Sequence, residues 1–150
     1  MSTIVTSPDQ TFAFGEKLSR RLKAGDVVLL YGGLGAGKTL LTKGILAGLT
    51  YDVDEVTSPS FTLVNLYKTD KFDVYHIDLW RLEGAADPAM GVGLDEILEQ
   101  PKAVVIIEWA DRLRKQLSHS NITKIEITGD GDEPRVITTT TGEAAWQKEA

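Results

Sequence analysis

The chain has 150 residues, a net charge of −6 and no cysteine; 42% of it is hydrophobic and 25% charged, ordinary values for a globular protein. That length suits one domain spanning residues 1–150, with a core large enough to be stable alone. The lack of cysteine excludes a disulfide framework and a thiolate metal site. No apolar run approaches the roughly 20 residues that cross a bilayer. The start MSTIVTSPDQ has neither the basic opening nor the apolar stretch of a secretory signal. A cytoplasmic location without a membrane partner is therefore expected, by elimination. Proteins that grip nucleic acid unaided present a basic face, so this acidic chain is not expected to bind DNA. Arg112, Arg114 and Lys115 read more simply as a solvated helix end.

In chain order, Ile4 and Val5 open with a β-like pair, and Ser7-Pro8-Asp9-Gln10 follows as a helix start. Ser7 can cap, Pro8 suits the first helical position, and Gln10 can reach back. Phe14, Leu18 and Leu22 recur at helical spacing, and Gly25 is a suitable stop. Val27 to Tyr31 is a continuous apolar run, the pattern of a strand buried on both faces. After a glycine-rich turn, Leu40, Leu41, Ile45, Leu46 and Leu49 define the apolar face of a second helix. Phe61 to Tyr67 and Phe72 to Asp78 are β-rich and separated by four polar residues, which predicts an antiparallel hairpin. A helix is expected from about Asp87 to Glu99. Ala103 to Ile107 is a second wholly apolar strand, ending in Glu108 and Trp109. Ile122 to Thr128 and Arg135 to Thr140 flank a Gly-Asp-Gly-Asp turn and form a closing hairpin. The expected product is an α/β fold, a mixed sheet with helices on both faces. The tail after about residue 142 is polar apart from Trp146 and reads as loosely ordered.

Gly32-Gly33-Leu34-Gly35-Ala36-Gly37-Lys38-Thr39 matches G-x-x-x-x-G-K-[ST] in full and sits between an apolar strand and an amphipathic helix. The residue types follow from the chemistry of a phosphate chain. Glycines allow backbone turns that let successive N–H groups converge on oxygens. The following helix offers unpaired N–H groups and its positive dipole end to the same anion. Lys38 supplies a mobile charge, and the Thr39 hydroxyl is an oxygen ligand for Mg²⁺. The fold expected is thus P-loop NTPase-like, with ATP and Mg²⁺ as the cofactors.

Such a site needs an acid at the end of a neighbouring strand to hold the metal or a water. Glu108 ends the buried strand Val104 to Ile107, at the edge where ligands bind in open α/β sheets. Asp78 ends the more alternating strand Val74 to Ile77. One acid can serve the metal and the other the attacking water, and the residues leave the assignment open. Ser58-Pro59-Ser60-Phe61-Thr62 lies where P-loop proteins often keep a segment that senses the γ-phosphate, and Ser60 offers a hydroxyl; an ordinary loop reads the same way. On the residues alone, Trp109 reads as core and His76 as a structural histidine. No N-K-x-D or D-x-x-G follows the loop, which argues against a GTPase. Six arginines with no Arg-dense lid argue against a small-molecule kinase, the rival enzyme reading. A module in which nucleotide binding alone switches partner affinity is the non-enzymatic rival.

Taken in order, L-G-A-G-K-T, S-P-S-F-T-L-V, Y-H-I-D-L-W-R-L and I-I-E-W closely resemble the bacterial TsaE family, over about Thr11 to Arg135. The resemblance implies an ATPase of the machinery that makes threonylcarbamoyladenosine in tRNA, beside the anticodon of tRNAs reading codons that begin with A. It implies a TsaD–TsaB heterodimer as partner, contact with tRNA only through that complex, and ATP turnover that resets the complex. By motif, Lys38 and Thr39 then hold phosphate and Mg²⁺, Glu108 is a metal ligand, and Asp78 and Trp109 belong to the catalytic set. Thr11 matches a position near the adenine. Gly33, Leu34, Gly35, Ala36, Gly37 and Leu40 complete the nucleotide-binding stretch. The chain departs from the family at Gly33, usually Asp or Glu, at Leu40 and Ser60, usually Thr, and at Trp80, usually Tyr.

Overall fold

The computed structural model describes residues 1–33, 35–57, 62–82, 84, 87–113 and 121–142. Seven strands form one mixed sheet. They are β1 (Ser2–Val5), β2 (Val27–Tyr31), β3 (Val64–Lys68), β4 (Asp73–Asp78), β5 (Ala103–Glu108), β6 (Ile122–Thr128) and β7 (Arg135–Thr141), in the spatial order β1-β7-β6-β2-β5-β4-β3. The central strands β6, β2, β5 and β4 run parallel, whereas β3, β7 and β1 are antiparallel to their neighbours. Both expected hairpins are present, with β3 starting at Val64 behind the left-handed Leu63 and β4 at Asp73.

The parallel strands read as apolar runs because both their faces are covered. Val28, Leu30, Val104 and Ile106 point into one cluster with Leu41, Ile45 and Leu46 of helix α2 (Lys38–Gly48) and Leu18 of helix α1 (Pro8–Ser19). Val27, Leu29, Val105 and Ile107 point the other way, onto Leu94 and its neighbours from two short helices, α3 (Pro88–Val92) and α4 (Leu94–Leu98). The single helix expected from Asp87 to Glu99 is therefore two. Gly93 takes the left-handed conformation at φ 67° and ends α3, and the chain restarts at Leu94.

Helix α1 begins as its sequence predicts. The Ser7 side chain accepts from the Gln10 N–H, while Gln10 Oε1 reaches back to the Thr6 N–H rather than to that of Ser7. The helix ends at Ser19, so Gly25 is not its stop: Leu22 is buried beyond the helix, and Gly25 donates its N–H to the Ala103 carbonyl instead. Helices α1 and α2 meet backbone to backbone. A Cβ on Gly44 would lie 2.1 Å from the Phe12 carbonyl oxygen, and one on Gly15 would lie 2.3 Å from that of Leu41. These glycines bring α1 close enough to put Thr11 beside Gly37 at the start of α2.

Backbone cannot step aside as a flexible side chain can. Gly44→Ala is accordingly expected to destabilise the fold by about 2–3 kcal/mol, the cost of overpacking a tight contact. Gly33, whose Cβ would meet open space, gives the control: Gly33→Ala should change stability by under about 1 kcal/mol. Urea unfolding of the two variants checks both.

Candidate functional site

The strand β2, the loop to Thr39 and helix α2 form one continuous unit at the C-terminal edge of the sheet. Gly35 and Gly37 hold φ values of 76° and 113°, a region that side chains with a Cβ rarely enter, so glycine is required where the chain turns into the helix. Helix α2 opens at Gly37 with no side chain capping it and no acid in its first turn. Its first N–H groups are left for an outside acceptor, with the positive end of the helix dipole behind them. Gly33 is exposed and not in the left-handed region, so its backbone accommodates the acid usual in the family. Leu34 and Ser58 to Phe61 lie outside the described residues.

Lys38 is buried beside this opening. Its Nζ donates to the Gly32 carbonyl and sits 3.6 Å from the centre of the Trp109 ring. Burial lowers its pKa, against the opposing pull of Glu108, then Asp78, then Asp111. A phosphate chain would restore the solvation that the ammonium has lost. Asp78 and Glu108 face each other in register across β4 and β5, at the same level as Leu30 of β2. Both are buried. Asp78 Oδ1 accepts the Trp80 N–H at 2.8 Å, and Glu108 is hydrogen-bonded to His76 Nε2. Burial raises the pKa of Asp78 above 3.8; the Trp80 N–H lowers it, Glu108 raises it, and His76 and Lys38 lower it.

Trp109 follows Glu108 with φ 58° and ψ 42°, a left-handed backbone that is uncommon for a bulky residue and costs about 1–3 kcal/mol. Tertiary contacts fix it there. Its ring packs on Trp80, 4.4 Å between centroids, and under Lys38. Trp109 thus lines the larger cleft beside Lys38.

Two clefts flank the start of α2 and share Gly35, Ala36, Gly37 and Leu40. The larger, of about 480 Å³, adds Lys38, Thr39, Asp78, Glu108, Trp109 and Trp80. The smaller, of about 260 Å³, is closed by Thr11 on one side and by Gly131 to Glu133 with Arg135 on the other. Ten of the candidate site residues thus line one cleft or the other, and the exposed Gly33 lines neither. An elongated ligand can run from one to the other over the helix end, anionic in the first and apolar-faced in the second. Thr39 and the two carboxylates suit Mg²⁺, a hard cation that takes one or two carboxylates and keeps several waters.

Three further groups that local sequence pattern does not single out meet these clefts or their lining. Alternation along the strand puts His76 on the same face as Asp78, but only the pairing of β4 with β5 brings it to Glu108. Trp80 and the turn at Gly131 to Glu133 reach the clefts through tertiary packing alone. Among the described residues no helix is long and apolar enough to cross a membrane.

A parallel strand, a glycine loop and an uncapped helix in a mixed sheet covered on both faces make this a P-loop-like protein. Comparison with known proteins narrows the class. The family model for the threonylcarbamoyl adenosine biosynthesis protein TsaE matches residues 5–137. The chain is 37% identical over 134 residues to the tRNA threonylcarbamoyladenosine biosynthesis protein TsaE of Bacillus subtilis, covering 89% of this chain and 81% of that one. It is 34% identical to the TsaE of Treponema pallidum over 88% of this chain and 96% of that one. A crystal structure of Bacillus subtilis YdiB superposes with a TM-score of 0.74 at 32% identity, over 95% of this chain and 84% of that one. The chain belongs to the TsaE family, whose role is the biosynthesis of threonylcarbamoyladenosine in tRNA.

The raised pKa of Asp78 has a consequence for stability. Between pH 3.8 and the raised value the folded state holds this proton and the unfolded state does not. The group's favourable contribution is therefore complete at low pH and is lost as pH rises through the folded value. Asp78→Asn keeps the acceptor for the Trp80 N–H and removes the buried charge. It should raise the melting temperature at pH 7 by about 1–4 °C, and the gain should vanish below pH 3.8. Thermal denaturation of both proteins across this range checks the sign.

Proposed function

We propose that this chain binds ATP with Mg²⁺ at the loop from Gly32 to Thr39 and hydrolyses it while acting on a TsaD–TsaB complex that modifies tRNA. The observation that carries the reading is the convergence of Lys38, Thr39, Asp78 and Glu108 on one side of an uncapped helix start. In this reading the backbone N–H groups from Gly35 to Thr39 hold the phosphates, and the Lys38 ammonium moves from the Trp109 ring to the phosphate oxygens. Thr39 and Glu108 hold the metal, whose charge offsets that developing on the phosphates. That leaves Asp78, two strands from the loop and level with Glu108, to accept the proton of a water in this reading. Thr11 and the turn at Gly131 hold the base, and Trp109 with Trp80 keeps bulk water from the phosphate side.

The net charge of −6 agrees with an indirect role at tRNA, since strong phosphate contact would fall to the partner proteins. The adenosine in question is the one beside the anticodon in tRNAs that read codons beginning with A. A cytoplasmic site of action goes with that role.

Purified protein should hydrolyse ATP slowly, and addition of the TsaD–TsaB pair should change the rate several-fold. Glu108→Ala should shift the Mg²⁺ requirement upward by about tenfold or more, because the ion loses an oxygen ligand. Phosphate release with and without the pair, over a Mg²⁺ series, measures both. No binding and no rate change with the pair would sink the partner assignment, and transfer of the γ-phosphate to a metabolite would replace hydrolysis by a kinase reaction.

A further inference from the structure

His76 lies in the middle of β4 and is fully buried, opposite Ile106 of β5. Val74 on the same strand points into the cluster beneath α1 and α2, whereas Tyr75 and Ile77 point to the other face. Alternation puts His76 and Asp78 on the α2 side, and by the same count Glu108 follows Val104 and Ile106 there. His76 and Glu108 are diagonal neighbours on adjacent strands, close enough for long side chains to meet. They do meet: Nε2 of the ring is hydrogen-bonded to Oε2 of the carboxylate. The other ring nitrogen, Nδ1, is buried with no hydrogen-bond partner among the described residues. A ring placed there only to fill the core would be better replaced by an apolar side chain, since a buried nitrogen without a partner loses its water for nothing.

We propose that His76 is a positioning residue for Glu108: it fixes one carboxylate oxygen so that the other stays directed at the cleft where Mg²⁺ is to be held. The proposal rests on the nucleotide–Mg²⁺ reading given above. A carboxylate oxygen only accepts, so the ring donates an Nε2–H to Oε2. This bond occupies only one of the two oxygens. It also restrains a competing arrangement. Glu108 is the acid with the strongest pull on Lys38, and a carboxylate free to turn could pair with that ammonium directly. Such a pair would remove a metal ligand and a phosphate-binding charge in one movement. Partners of this outer kind set the orientation of metal-binding carboxylates and tune the affinity of the site.

The test is calorimetric binding of ADP and of a non-hydrolysable ATP analogue to the full chain, in Mg²⁺ and in EDTA. Wild type should bind more tightly in Mg²⁺. His76→Leu should leave binding in EDTA within about twofold and reduce the gain from Mg²⁺ by about ten- to a hundredfold. His76→Gln can place an amide N–H near the Nε2 position and should restore most of that gain, whereas His76→Asn is too short and should not. In Glu108→Gln, adding His76→Leu should cause no further loss. A full gain from Mg²⁺ in His76→Leu overturns the proposal. Equal losses in EDTA and Mg²⁺ that Gln does not rescue also overturn it, because they mark a merely structural role. If His76→Leu does not fold, Gln against Asn decides: equal Mg²⁺ gains in the two overturn the proposal, and a gain kept only in Gln supports it. Absence of any gain from Mg²⁺ in wild type is a different failure, that of the nucleotide–Mg²⁺ reading itself.

Discussion

Lys38 is an ammonium held largely out of water, with a carbonyl and an aromatic face as its near partners and two buried carboxylates facing the same cleft. Burial disfavours its charge, and the acids only partly offset this. The uncapped end of α2 adds positive potential at the same point. A site built this way is poised for a multiply charged anion. A phosphate chain would offset the ammonium's lost solvation and the positive helix end, whereas the two carboxylates call for a cation between them and that chain. Much of the remaining structure serves to keep this arrangement in place.

The parallel strands β2, β5 and β4 do so by register. Leu30, Glu108 and Asp78 lie at one level, so the loop and both acids leave the sheet at the same edge. The Leu79 N–H to Glu108 carbonyl bond ties the two strand ends together just beyond that level. On the α2 face, the close approach of α1 through Gly15 and Gly44 sets Thr11 against Gly37 and builds the smaller cleft. On the other side, Trp109 holds its strained backbone under Lys38 and against Trp80. Site geometry and helix packing are thus one problem: a shift of α1 would open the smaller cleft, and a relaxed Trp109 would uncover the larger.

Most of this was legible from local pattern, for physical reasons. Strands buried on both faces must be wholly apolar, which marked Val27 to Tyr31 and Ala103 to Ile107. A phosphate loop has few chemical solutions, which marked Gly32 to Thr39. Acids at strand ends pointed to Asp78 and Glu108. The failures fall where local pattern carries little information. Gly93 splits one amphipathic stretch into two helices because its left-handed turn redirects the chain, and helical periodicity survives such a break. Helix α1 stops at Ser19 although Leu22 keeps the spacing, because Leu22 reaches the core from the following turn. His76 looked like core filling, since only the register of β4 against β5 reveals that it touches Glu108. The wall of the smaller cleft from Gly131 to Arg135 is far from the loop in sequence, and nothing in those residues announces it.

The central claim is that Lys38, the start of α2 and the acids at the edge of β4 and β5 form one site for a Mg²⁺-bound nucleoside triphosphate. A crystal structure with Mg²⁺ and a non-hydrolysable ATP analogue tests it most directly. The account predicts phosphates beneath the N–H groups of Gly35 to Thr39, Lys38 Nζ moved from the Trp109 ring to phosphate oxygens, and the ion between Thr39 and Glu108. It also predicts the base in the cleft bounded by Thr11 and Gly131. A nucleotide bound elsewhere, or bound here with Lys38 still on the tryptophan and Glu108 remote from the ion, would contradict it.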